Sequence, residues 1–87
     1  MHAVVVRVTI SDEGAALAAL RDDVVPQVSQ APGFVAGYWT RKDNTGLSML
    51  VFDSEDTARA ASERIPATVP EGVTLDNVEV REVVANA

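Results

Sequence analysis

The chain contains no cysteine. That excludes a disulfide, a thiolate nucleophile and any cysteine-held zinc or iron–sulfur centre. It has a single histidine, His2, so a metal site of several histidines within one chain is excluded as well, and no cofactor is implied by the residues. Aromatic residues make up 5% of the sequence, as one Trp, one Tyr and two Phe, so the core must be largely aliphatic. Basic residues are few, 7 Lys and Arg against 13 Asp and Glu, for a formal net charge of −6. No basic run exceeds Arg41-Lys42, which argues against nucleic acid as a partner. No apolar stretch approaches the length of a membrane span, and Arg7 interrupts the N-terminal valine run where a signal peptide would need an apolar core. The expectation is one cytoplasmic domain over residues 1–87, with no membrane partner.

Hydrophobic residues are 47% of the chain, ample for a globular fold. In residues 3–10, β-branched side chains occupy both parities, which predicts a central strand covered on both faces. Ser11 reads as an N-cap, with Asp12 and Glu13 favoured by the helix dipole. Leu17, Leu20, Val24 and Val28 then recur at helical spacing and predict a buried stripe. Pro26 cannot donate to the carbonyl of Asp22, so the last turn should be kinked or weakened. Pro32-Gly33 ends this element.

Two apolar runs flank Asp43-Asn44-Thr45-Gly46 and predict a hairpin. With those four residues as the loop, Lys42 faces Leu47, Trp39 faces Leu50 and Gly37 faces Phe52. One face then carries Val35, Gly37, Trp39, Arg41, Ser48, Leu50 and Phe52; the other carries Tyr38, Thr40, Leu47, Met49 and Val51. Ser54 caps a second helix whose stripe, Ala58, Ala61 and Ile65, is small enough to lie close on a sheet. Glu55 and Arg59 form an i,i+4 pair, and Pro66 stops the helix. Val73 to Val84 is a last strand, with a bulge or change of partner expected over Glu82-Val83-Val84.

The order is βαββαβ. Two right-handed crossovers put both helices on one face of a four-stranded antiparallel sheet, an α+β ferredoxin-like sandwich. Tyr38, Leu47, Met49, Val51 and Val5 point to the other face. An apolar sheet face without helices predicts a partner, most simply a second copy, giving a homodimer through the sheet.

The run Ala31-Pro32-Gly33-Phe34-Val35-Ala36-Gly37-Tyr38, then a hairpin, then Val51-Phe52-Asp53-Ser54-Glu55 opening a helix, resembles the antibiotic biosynthesis monooxygenase-like superfamily. That resemblance implies a dimeric α+β barrel. It covers most of the chain and is specific for fold rather than activity, since members include small cofactor-independent oxygenases and haem-degrading enzymes. The haem-degrading branch carries an Asn in the first strand, a Trp at the end of the third and a His on the second helix. Those slots fall at or near Val6 and at Phe52 here, and the second helix has no His. The resemblance therefore implies a cofactor-independent, monooxygenase-like activity on a small aromatic or phenolic molecule held in a cleft between sheet and helices, which Trp39 and Arg41 are placed to line, or else a non-catalytic dimeric module that binds a small ligand or serves a structural role.

The candidate substrate-binding residues are Trp39, Arg41, Phe52 and Tyr38. Trp39 and Phe52 are suited to hold a ring, with Gly37 leaving room; ordinary core packing is the competing reading. Arg41 and Tyr38 are suited to steady a developing oxyanion, against a surface ion pair and an interface hydrogen bond. Arg7, in an aliphatic strand, is expected to pair with Glu79 or Glu82 of the same or a second copy. His2 is expected at an exposed terminus. Ser11, Ser48 and Ser62 have no histidine near them in sequence and no Gly-x-Ser-x-Gly context, so no hydrolase triad is read.

Overall fold

The computed structural model describes all residues from Met1 to Ala87. Strand β1 (His2–Ile10) leads into a helical segment built in three pieces: α1 (Glu13–Ala19), a π-helical turn (Leu20–Val24) and α2 (Val25–Ser29). The hairpin β2 (Phe34–Lys42) and β3 (Thr45–Phe52) follows, then α3 (Glu55–Arg64), a 3-10 turn (Ile65–Ala67) and β4 (Val73–Glu82). The sheet is antiparallel in the order β2-β3-β1-β4. This is the ferredoxin-like α+β arrangement expected from the pattern, with β1 central. No helix is long and apolar enough to cross a membrane.

The hairpin loop has two residues rather than four. Lys42 pairs with Thr45, so Trp39 faces Ser48 and Gly37 faces Leu50. Asp43 takes up the turn with a φ of 55°, a sign that two-residue hairpin loops demand. The Thr45 hydroxyl donates back to the Lys42 carbonyl at 2.7 Å. A shift of two residues preserves the alternation, so most side chains keep their expected face. Val35 does not. The register slips between Phe34 and Ala36, and this bulge puts Phe34 opposite Phe52 while Val35 is left exposed. Gly46, read as part of the loop, lies in β3 opposite both Arg41 and Val8. A Cβ there would lie 2.7 Å from Val8 Cγ2, so the glycine admits close packing.

Helix α1 is capped by Asp12, one residue later than expected: its carboxylate accepts from Ala15 N–H at 3.1 Å. Ser11 instead donates its hydroxyl to the Gly72 carbonyl, which also accepts the backbone N–H of Ser11 and Asp12. The disturbance expected at Pro26 appears just upstream, as the π-helical turn, where Val25 N–H reaches Leu20 O. A proline without an N–H leaves the Asp22 carbonyl free, and widening the preceding turn relieves the ring. Ser54 caps α3 by accepting from Thr57 N–H at 3.2 Å. Glu55 and Arg59 pair at 3.4 Å. In β4 the irregularity is at Asp76, not at residues 82–84: Arg7 pairs with Asn77 and Val8 with Leu75. The Thr9 hydroxyl donates to the displaced Asp76 carboxylate at 2.7 Å.

The core is small, with 8 of 87 residues buried. Val4, Val6, Leu50 and Phe52 form the floor, and Ala58 of α3 rests on them. The Phe34 and Phe52 rings meet edge to face at 5.9 Å. The opposite face carries three cross-strand rows: Tyr38–Met49–Val5–Glu79, Ala36–Val51–Ala3–Arg81 and Thr40–Leu47–Arg7–Asn77. Its apolar part is concentrated on β2, β3 and β1, with Tyr38, Leu47 and Met49 exposed by 64%, 46% and 47%. The expected pairing of Arg7 with Glu79 or Glu82 is absent within the chain. Arg7 is exposed, and Glu79 pairs instead with Arg81 at 2.9 Å, two residues along the same strand and on the same face.

Candidate functional site

The two helical layers meet the sheet differently. Alanines on α3 let it lie close, and Ala58 is fully buried. The first helical segment presents Leu17, Leu20, Val24 and Val28, side chains that hold its backbone away from the sheet. None of these four is buried, and Leu17 is 44% exposed. The gap left beneath them is a cavity of about 170 Å³. Its sheet-side floor includes Val6, Val8, Ser48 and Leu50, and the helical stripe forms its roof.

Trp39 and Arg41 both line this cavity. Adjacent odd positions of β2 share a face, so the strand period delivers both to the helix side. The Trp39 ring lies over Gly37: a Cβ at Gly37 would sit 2.9 Å from Trp39 Cη2 and 3.2 Å from Phe34 Cζ. Gly37 therefore makes room for the indole, rather than for a ligand opposite Phe52. Arg41 stands at the mouth and is paired with Glu13 of α1. The pair is substantially exposed, at 40% and 59% of the side chains, so solvent screening leaves it worth about 0–1 kcal/mol. Beyond it lies an open polar dish formed by Ser11, Glu13, Asp43 and Asn44.

The other two candidates sit apart. Phe52 is fully buried in the core; it borders a second cavity of about 160 Å³ under α2 and α3 rather than the one holding Trp39. Tyr38 lies on the far face of the sheet, exposed, beside Met49. Trp39 and Arg41 thus share one site, Phe52 forms part of its neighbour's wall, and Tyr38 belongs to the open face. His2, expected at an exposed end, is half-buried beside Phe52, with Nε2 3.5 Å from Glu55 and no partner for Nδ1.

Several site residues were not singled out from the sequence. Glu13 was read as a helix-end acid, and nothing local to it announces Arg41. The stripe Leu17 to Val28 has the spacing of a core-facing helix. Its large side chains, set against the alanines of α3, were the available signal of a stand-off. No cluster of three or more His, Asp and Glu side chains comes together in the structure.

No family model matches the sequence, and no curated protein matches it. Among solved structures, a dimeric ferredoxin-like protein from an uncultured marine organism is similar, with a TM-score of 0.65 and 12% identity. The match covers 100% of this chain and 98% of that one. At that identity the likeness establishes the ferredoxin-like fold and nothing finer.

Proposed function

We propose that this chain is a homodimeric, antibiotic biosynthesis monooxygenase-like protein whose cleft under the first helical segment takes a small aromatic or phenolic molecule. The cavity beside Trp39 carries the reading. An apolar cavity of about 150 Å³ accepts a benzene ring, and this one, at about 170 Å³, has 14 hydrophobic residues among its 20 lining residues. Trp39 offers a ring against which another stacks or tilts. Arg41, once released from Glu13, offers a planar cation to a phenolate oxygen.

In the oxygenase reading, the phenol ionises through its own acidity and Arg41 steadies the developing oxyanion. Dioxygen is the co-substrate, and an activated phenol leaves as a quinone with water as the second product. A second reading, ligand binding without turnover, has a specific observation in its favour. Arg41 is the sole ionisable side chain among the cavity's lining residues, and the Glu13 carboxylate beside it is engaged in their ion pair, so no free carboxylate or imidazole faces the cavity as a general base.

A second copy is proposed to cover the open sheet face. The exposed Tyr38, Leu47 and Met49 support this, as does the dimeric state of the similar marine protein. The test is aerobic incubation with a panel of phenols and anthrone-like compounds, following oxygen uptake and Trp39 emission. Uptake that is lost in a folded Trp39→Ala variant supports the oxygenase. Saturable emission changes without uptake support the binding module. Neither response across the panel overturns the cleft as a ligand site.

A further inference from the structure

The cavity beside Trp39 and the one beside Phe52 are not independent. Val28, Leu50, Ile65 and Thr68 line both. Leu50 is a buried part of the shared floor, whereas Val28 of α2 and Ile65 of the 3-10 turn after α3 line the stretch, or waist, that the two lobes of about 170 and 160 Å³ have in common. Both waist residues are only half-buried and sit at helix ends, where the surrounding packing is least restrictive. Arg64 lines the second lobe and not the first. It is exposed and has no carboxylate partner, in contrast to Arg41 at the other mouth, which is already neutralised by Glu13.

We infer that the two lobes hold one elongated ligand, an aryl-alkyl molecule with an anionic end. Its ring lies against Trp39, its apolar connection crosses the Val28–Ile65 waist, and its anionic group reaches Arg64. This rests on the proposed cleft and specifies the class of molecule that fills it. A single ring occupies only the first lobe and leaves the second lobe's apolar wall and its free cation unused. A longer molecule buries both, and the polarity of the site is set by which arginine is free.

The test is a series of phenylalkanoates, benzoate, 4-phenylbutyrate and 6-phenylhexanoate, titrated against the intact protein. The emission of Trp39, the single tryptophan, reports arrival of the ring. Phenol and the matching phenylalkanols serve as neutral comparators. The expected result is tightening by about fourfold per methylene, the ratio that follows from about 0.8 kcal/mol per buried CH₂. Arg64→Gln should weaken 6-phenylhexanoate about tenfold, as loss of a hydrogen bond to a charged group does, and leave 6-phenylhexanol unchanged. Ile65→Phe, which narrows the waist without adding a second tryptophan, should abolish the length dependence while phenol still binds. Arg64 lies on the surface, so its variant tests the idea even if Ile65→Phe fails to fold. A flat length series with phenol still bound, or an acid indifferent to Arg64→Gln, overturns the two-lobed ligand and leaves the single-ring cleft standing. Failure of phenol itself to bind overturns both.

Discussion

The two halves of the helical layer solve the same problem in opposite ways. On α3, small side chains bring the backbone down, so that Ala58 is sealed against Phe52 and Val4. On the first helical segment, Leu17, Leu20, Val24 and Val28 prop the backbone up, and Ala16 is the sole buried residue of α1. Helix proximity to a sheet is set by side-chain size at the contact. The larger stripe therefore buries less here, because the side chains span a gap they do not fill. One half closes onto the core at Ala58 and leaves space beside Ala60, Ala61 and Arg64; the other stands over the cleft beside Trp39.

The largest effect expected from breaking this contrast is on the α3 side. Phe52→Ala removes a fully buried ring and should cost about 3–5 kcal/mol in chemical denaturation. Next, Ala58→Leu forces extra carbons into the close helix–sheet contact and should cost about 1–3 kcal/mol; a neutral outcome would mean α3 floats as the other half does. Ser54→Ala removes the α3 cap and should cost about 1 kcal/mol. Leu20→Ala, on the cleft side, should cost less than the ~2–5 kcal/mol usual for a core leucine, because Leu20 is not buried. It should also loosen ligand binding by removing part of the roof. Smallest of all, Arg59→Ala should lower stability by about 0.3–0.5 kcal/mol, the worth of an exposed i,i+4 pair.

Much of this contrast was legible in the sequence, and the remainder has identifiable reasons. The order of elements followed from period-2 runs and two capped helices. The faces followed from strand alternation, which survived a two-residue error in hairpin register because parity was unchanged. Val35 was misplaced because a bulge carries no compositional mark. Arg7 reads as a buried charge because its neighbours in sequence are valines; its surroundings depend on which face the helices leave open. A sheet–helix cleft lined by Trp39 and Arg41 was implied by the resemblance, but its size and its roof were not, because a 3-and-4 spacing predicts which side chains face the sheet and not how far away the helix stands. Pro26 signalled a disturbed helix, and the wider turn it produced is upstream of it. The pairing of Arg41 with Glu13 joins a strand end to a helix start 28 positions away in sequence, beyond any local pattern.

The open face offers a second contrast, with the roofed one. Tyr38 and Met49 face each other across β2 and β3, both exposed. A Met49→Glu substitution places a charge among Tyr38, Val5 and Val51, without touching the core on the other side. If the proposed dimer forms, this variant should sediment as a folded monomer where the wild type sediments as a dimer; an unchanged dimer would move the interface elsewhere, and a monomeric wild type would overturn the dimer.

The account depends most on the claim that the space beneath the first helical segment receives a ring. The direct measurement is a titration of Trp39 emission with p-cresol, in the wild-type chain and in Leu20→Phe, which fills the roof side. The account predicts a saturable change in the wild type that is weakened at least tenfold in the filled, still-folded variant. A change that rises without saturation, or that is the same in both proteins, would contradict it.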